Sequence, residues 1–286
     1  MSNAVWLEVA VNGAWTRQAQ PRIPVSVDEI VKDAVACVEA GAAVIHAHAY
    51  DAKSGAMKDD VEIYAAIVEG IHARVDAIVY PTLPIPLPDD WRDRYQTQEA
   101  LARRGLLEWN VVDPGSTNLA FYGAEASEND VYANPSAAIR LGLEVAARHR
   151  VHPAYACYEP GFVRLGAELA RQVPQAPTPI YRFMFSQGFT FGFPPEAWAL
   201  DAYVRLVERE APGAPWMVAG LSVDILPLIP LAVARGGHVR VGLEDAPFAS
   251  ERSNQEWVQQ AVRSIRSAGG EPASAAQIRE SLKNEA

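Results

Sequence analysis

Apolar positions along the chain follow two alternating spacings. Short β-rich runs recur at Val5–Val11, Ala43–His48, Ala77–Tyr80, Leu107–Val112, His152–Tyr158, Ile180–Phe185, Trp216–Ala219 and Val239–Leu243. Between them apolar residues return every three or four positions, the period of a helix with one buried face. These stretches lie near Val27–Ala40, Val61–Ala73, Gln98–Arg104, Ser136–Arg148, Phe162–Gln172, Glu196–Arg209 and Ile225–Arg235, and a last one covers Asn254–Ser267. Ser26 with Glu29 three residues on predicts a capping box at the first helix start, and Gly41 its end.

Strand–helix alternation predicts parallel strands joined by crossover helices. About eight such units in roughly 270 residues is the count of a (β/α)8 TIM barrel. An open doubly wound sheet competes with it, but carries a Gly-rich turn after its first strand, and Asn12-Gly13-Ala14-Trp15 is not that fingerprint. We therefore expect one barrel domain over residues 1–286 with a C-terminal helical tail. Two irregular stretches, proline-rich Pro81–Asp93 and Asp113–Pro135, both follow strands. On a barrel they fall at the C-terminal face, where active sites are built.

Acidic residues outnumber basic ones 35 to 25, a net charge of -10. Nucleic acid and anionic membranes demand a cationic surface, so neither is expected as a partner, whereas a small anionic substrate needs only local positive charge. The two cysteines, Cys37 and Cys157, sit among apolar residues and read as small buried hydrophobes. The first ten residues lack the basic-then-apolar layout of a signal peptide, and no apolar run reaches the roughly 18 residues of a membrane span. A cytoplasmic protein is expected.

His46-Ala47-His48 is the sharpest chemical feature. Two residues apart on a strand, both imidazoles point to one face, while Ile45, Ala47 and Ala49 suit packing against helices. Two readings fit the pair: ligands for a divalent transition metal, most often zinc, or a buried pair satisfied by hydrogen bonds. The eighth run repeats the phase. Val239, Val241 and Leu243 face the helices, so Arg240, Gly242 and Glu244 face the interior. Strands eight and two both flank strand one, about 10 Å apart, a gap their side chains can close. His46, His48 and Glu244 then make a set of two imidazoles and one carboxylate with open positions, as in catalytic metal sites. Asp245 stands at the strand end as a candidate catalytic residue; a buried ion pair is the plainer reading of Arg240 and Glu244. Strand one turns Trp6, Glu8 and Ala10 inward, and Glu8 is expected to pair with Arg240 as a structural salt bridge.

Three segments resemble the β-keto acid cleavage enzymes, which include the 3-keto-5-aminohexanoate cleavage enzyme. They are Pro24–Ile30, Ala40–His48 and Gly236–Asp245, with further similarity around Ser253-Asn254 and Ala276–Leu282. The resemblance implies a zinc-bearing TIM barrel that is a homo-oligomer, dimer or tetramer. It implies a reaction in which a β-keto acid and acetyl-CoA give acetoacetate and a new acyl-CoA. By resemblance the metal ligands are His46, His48 and Glu244, Asp245 is the general base, and Arg240 holds negative charge on substrate oxygens. Substrate-binding hydroxyl and amide positions fall on Thr82, Ser116 and Asn118.

The chain also departs from that pattern. Trp15 stands where the family has an acidic residue, and Tyr50 where an arginine follows the histidines. Leu83-Pro84-Ile85-Pro86 replaces a Gly-rich turn, Gly220–Ile225 lacks an arginine and a glutamine, and Ala156 replaces a strand-five carboxylate. A bulkier, less charged pocket suits a more apolar or aromatic keto acid. Two other functions compete: a metal-dependent lyase or hydrolase that needs no CoA, and a metal-dependent small-molecule binder.

Overall fold

A computed structural model describes residues 3–51, 53–125, 127 and 130–283. The chain begins with Asn3–Val5 (β1) and Leu7–Ala10 (β2), followed by helix Val27–Glu39 (α1). Strand and helix then alternate through Val44–Ala47 (β3), Val61–His72 (α2), Ile78–Pro81 (β4), Gln96–Arg103 (α3) and Trp109–Val111 (β5). A small hairpin, Thr117–Asn118 (β6) with Val131–Tyr132 (β7), precedes Ser136–His149 (α4). Alternation resumes with His152–Cys157 (β8), Pro160–Gln172 (α5), Ile180–Ser186 (β9), Ala197–Glu210 (α6), Trp216–Leu221 (β10), Ile229–Ala234 (α7) and His238–Val241 (β11). The tail is Asn254–Ser267 (α8), Gly270–Pro272 (β12) and Ala275–Lys283 (α9).

Eight of the strands form one parallel sheet in the order β4-β3-β2-β11-β10-β9-β8-β5, with a helix between successive strands. Its two ends curl together, so the expected TIM barrel is present and nearly closed. Among the described residues no backbone ladder joins β4 to β5. The rings of Tyr80 and Trp109, with centroids 5.8 Å apart, meet across that seam instead. Ser26 and Glu29 form the predicted capping box. Both cysteines are buried and free. Among the described residues no helix is long and apolar enough to cross a membrane.

Period two fixes what each strand does. Leu7, Val9, Ile45, Val79, Val239 and Val241 are buried in the apolar core against the helices. The opposite faces fill the barrel. At its floor the Trp6 ring stacks on His238 at 4.1 Å and meets Trp109 at 5.9 Å, and the Trp6 backbone N–H donates to His238 Nδ1. Above that lies a layer of Glu8, Tyr80, Arg182 and Arg240, each buried and polar.

Three of the boundaries that differ from the sequence reading have a clear physical cause. The first run is two strands, parting at Trp6, because β1 leaves the barrel to pair with β12. Asp113–Pro135, read as irregular, contains the β6–β7 hairpin, whose two-residue strands are too short to set a period. The eighth strand ends at Val241 rather than Leu243. Gly242 has φ +135°, and a Cβ there would stand 2.2 Å from the Ala10 carbonyl oxygen, so the chain turns at this point. The N–H groups of Asp245 and Ala246 both donate to the Gly242 carbonyl. Glu244 thus reaches the barrel mouth on a turn, not as the next inward residue of a strand.

Candidate metal centre

His46 is the inward residue of β3, and His48 lies one residue past that strand's end. Their Nε2 atoms are 3.2 Å apart. From the turn after β11, Glu244 brings Oε2 to 3.5 Å from His46 Nε2 and Oε1 to 3.3 Å from His48 Nε2. Donor atoms on the edges of a tetrahedral zinc site stand about 3.4 Å apart, given metal–ligand bonds of roughly 2.0–2.2 Å. The three separations fit such a site, and this is the cluster of metal-ligating side chains found among the described residues. Among the described residues Glu244 Oε2 makes no hydrogen bond, standing between His46 Nε2 and its ion-pair partner Arg240.

The electrostatics favour the ligating forms. Burial holds His46 well below the ordinary histidine range, so its imidazole is neutral. Burial opposes charge on Glu244, but Arg240, His48 and His46 outweigh it and hold the carboxyl well below the usual range.

Beside the triangle, Arg240 is held by carboxylates on three sides. Its Nε and Nη2 donate to both oxygens of Asp245 at 2.9 and 2.8 Å, and Nη1 donates to Glu8 Oε1 at 3.1 Å. Its Nη2 also lies 3.2 Å from Glu244 Oε2. The fork geometry fixes both partners of the Arg240–Asp245 pair. Burial pushes the Asp245 carboxyl up to about 6, with Arg240 pulling the other way. The expected Glu8–Arg240 bridge is present, but Glu8 has further partners. Tyr80 donates to Glu8 Oε1 at 2.5 Å, and Arg182 Nη1 donates to Tyr80 Oη and, at 3.5 Å, to Glu8. The Tyr80 ring also lies 4.7 Å from that of His46. Arg182 carries the same sequence signal as Arg240, a charge at the inward phase of an apolar strand, and the sequence reading passes over it.

Three fully buried amides pin the backbone around the ligands, none of them flagged by residue type alone. Asn12 Oδ1 accepts the His48 N–H at 2.9 Å and Nδ2 donates to the His48 carbonyl at 3.0 Å; the same side chain reaches Gly13 N–H and the Pro24 carbonyl. Asn254, the first residue of α8, accepts from Leu243 N–H and donates to the Val11 carbonyl. Gln20 donates to the Leu243 and Pro247 carbonyls.

The expected substrate contacts are scattered. Thr82 is buried one residue past β4, and its carbonyl accepts from Gln98. Ser116 is exposed, and its hydroxyl oxygen accepts the Asn134 N–H at 2.7 Å. Asn118 is exposed in β6, paired with Val131. None of the three has a hydrogen bond to the metal triangle among the described residues. Of the departures from the family pattern, two are built into the site. The Trp15 indole N–H donates to the Glu244 carbonyl at 2.8 Å, and the Tyr50 hydroxyl donates to the carbonyls of Gly13 and Trp15.

Residues 4–283 match the family described as beta-keto acid cleavage enzyme. The chain belongs to that family. It is 26% identical to a 3-keto-5-aminohexanoate cleavage enzyme from Fusobacterium nucleatum, over 99% of this chain and 98% of the relative. It is 24% identical to the 3-dehydrocarnitine:acetyl-CoA trimethylamine transferase of Rhizobium meliloti, over 99% and 97% of the two chains. Among solved structures, ObcA in a binary complex with oxaloacetate superposes with a TM-score of 0.74 at 16% identity, covering 92% of this chain and 67% of that one. At that identity the likeness is one of fold. This member of the β-keto acid cleavage enzymes is therefore divergent in sequence over its whole length.

Proposed function

We propose that the protein exchanges acyl groups between a β-keto acid and acetyl-CoA at a zinc centre, or one of another divalent transition metal. Both its family and the acetyl-CoA named for its Rhizobium meliloti relative support this reading. The observation that carries it is the His46–His48–Glu244 triangle standing directly against the Arg240–Asp245 pair. His46, His48 and Glu244 would hold the metal, which supplies Lewis acidity toward the keto and carboxylate oxygens of the substrate.

The protein's own groups do the rest. Asp245 takes a proton from the methylene between the substrate's keto and carboxylate carbons. Arg240 offers positive charge where negative charge develops on the substrate oxygens. Thr82, Ser116 and Asn118 are assigned to substrate contact; Ser116 already accepts from Asn134, which leaves its hydroxyl proton to donate. In the exchange, the bond between the substrate's keto carbon and methylene breaks, as does the acetyl–sulfur bond. A new acetyl–methylene bond, with the proton returned from Asp245 to that carbon, gives acetoacetate, and the displaced acyl group ends on the CoA sulfur. No oxidant or reductant is needed.

The test is acetoacetate formation by metal-loaded protein from a panel of β-keto acids, with and without acetyl-CoA. Product only in the presence of acetyl-CoA supports the exchange. Cleavage that proceeds equally well without it assigns the site to a CoA-independent lyase or hydrolase. Binding without turnover assigns it to a small-molecule binder.

A further inference from the structure

The wall of the barrel facing the metal ligands is apolar. Arg182 in β9 reaches across to Tyr80 and Glu8, so its side chain points inward. Two residues further on, Met184 points inward as well. The ladders extend this face sideways: Arg182 pairs with Ala156 of β8, Met184 with Ala219 of β10, and Ser186 with Leu221. Side chains paired in register share a face of the sheet, so Ala156, Met184, Ala219 and Leu221 stand on the interior side. They form one buried cluster with Phe189 and Phe191, from the loop after β9.

That cluster continues to the metal centre. Phe189 meets Phe121 at 4.0 Å and Trp15 at 6.3 Å, and Trp15 is the residue whose indole donates to Glu244. Three rings from three different loops thus run from the apolar wall to a candidate ligand.

Charge is spoken for on every side. Three arginines are buried. Arg240 is held by Asp245 and Glu8, Arg182 by Tyr80, Glu8 and two carbonyls, and Arg94 by Asn134 and the Ala133 carbonyl. The carboxylate next to the wall, Asp113, accepts from Ala156 N–H at 3.2 Å with one oxygen and from Tyr132 at 2.6 Å with the other. A substrate tail ending in a carboxylate or an ammonium would be buried here without a partner, which is heavily penalised. A flat apolar tail would lie against methyl groups, a thioether and ring faces, contacts that suit an aromatic ring.

Resting on the reaction proposed above, we infer that the group beyond the keto carbon of the substrate is uncharged and apolar, an aryl or branched alkyl tail. It lies against the wall of Ala156, Met184, Ala219 and Leu221 and the Phe189 and Phe191 rings packed with it. The acyl-CoA product is then an aryl or branched-chain thioester.

Equilibrium binding tests this without requiring turnover. Zinc-loaded protein is titrated calorimetrically, in the absence of acetyl-CoA, with 3-oxo-3-phenylpropanoate, with the dianionic 3-oxoadipate and with the aminated 3-oxo-5-aminohexanoate. The aryl acid should bind at least tenfold more tightly than either charged acid. Equal affinities, tighter binding of a charged acid, or no binding by any of the three would overturn the assignment. Ala219→Leu, which adds bulk to the wall the tail lies against, should weaken the aryl acid at least tenfold and leave acetoacetate within twofold. Loss of both together would place the tail elsewhere. Should that variant not fold, the ranking on the unaltered protein decides by itself. Acetoacetate release measured in parallel keeps the two readings apart. An aryl preference in binding with no acetyl-CoA-dependent product upholds the tail and removes the exchange. A charged preference with acetyl-CoA-dependent product does the reverse.

Discussion

Asn12 grips both ends of the His48 residue, accepting its N–H and donating to its carbonyl. His48 lies beyond the last ladder-bonded residue of β3, so without Asn12 nothing in the sheet would fix its backbone. Asn12→Ala removes four hydrogen bonds and leaves the His48 N–H and carbonyl buried and unpaired. We expect metal affinity to fall about 10–100-fold, the range for groups that orient ligands. Stability should fall by about 1–3 kcal/mol per orphaned group. Chelator competition and urea melts on the same preparation measure both; unchanged affinity would separate Asn12 from the metal centre.

Deleting a ligand should act differently. In His48→Ala and Glu244→Ala, zinc content after dialysis should drop far below that of the parent, while the fold persists. Glu244→Ala also frees Arg240 Nη2 from one of its carboxylates, so it should be the less stable of the two with metal removed. Zinc retained at the parent level in either variant would refute the ligand set.

Asp245→Asn tests the base. The amide preserves shape and one oxygen to accept from Arg240, so metal content should be unaltered. Turnover should fall by about 10²–10⁴, the contribution usual for a positioned base. An active variant would take Asp245 out of that role.

Beneath the site, Glu8 joins two arginines and a tyrosine with no exposure to solvent. Such an arrangement stabilises little in net terms, but removing one member strands the others. Glu8→Leu should therefore destabilise by about 3–5 kcal/mol, and Arg182→Met by a similar amount. A double variant, Glu8→Leu with Arg182→Met, should cost less than the sum of the two. Denaturant melts on the three proteins would show additivity if the groups act independently.

His238 gives a pH signature. Burial pushes its imidazole down to about 3, and its Nδ1 accepts the Trp6 backbone N–H. An unfolded histidine titrates near about 6.5. Above that value both states are neutral and the residue contributes no pH dependence. As pH falls below it, the unfolded chain takes up a proton that the folded one refuses. Stability then falls by up to about 1.4 kcal/mol per pH unit until the folded value is reached. His238→Gln should flatten the slope of unfolding free energy between about pH 6 and 4 by as much as one proton. An identical slope in variant and parent would mean that His238 does not titrate in this way.

Much of this is legible in the chain itself, because period two on eight apolar runs decides which side chains face the interior. That phase alone puts His46, Arg240 and Glu8 on one wall. It misjudges the means for Glu244, since a strand pattern does not register that Gly242 breaks the ladder to avoid the Ala10 carbonyl. Arg182 stands in the open as a charge within Ile180–Phe185, yet its role depends on a partner, Glu8, that is 174 residues away. Asn12, Gln20 and Asn254 are harder to see. A buried amide looks like any surface amide until tertiary structure surrounds it with backbone groups in need of a partner. Ser116 and Asn118 belong to a hairpin region whose two-residue strands leave no periodic trace.

The barrel's last seam has a consequence of its own. Seven junctions are stitched by main-chain ladders, whereas β4 and β5 are clasped by Tyr80 against Trp109. The sheet is thus a curled ribbon with a buckle rather than a continuous hoop. The buckle is not remote from the chemistry, for the ring of Tyr80 also leans on His46 while its hydroxyl bridges Arg182 and Glu8. Any change that loosens the ribbon's ends is felt by a single phenol that touches the clasp, the buried charges and the metal-binding wall at once.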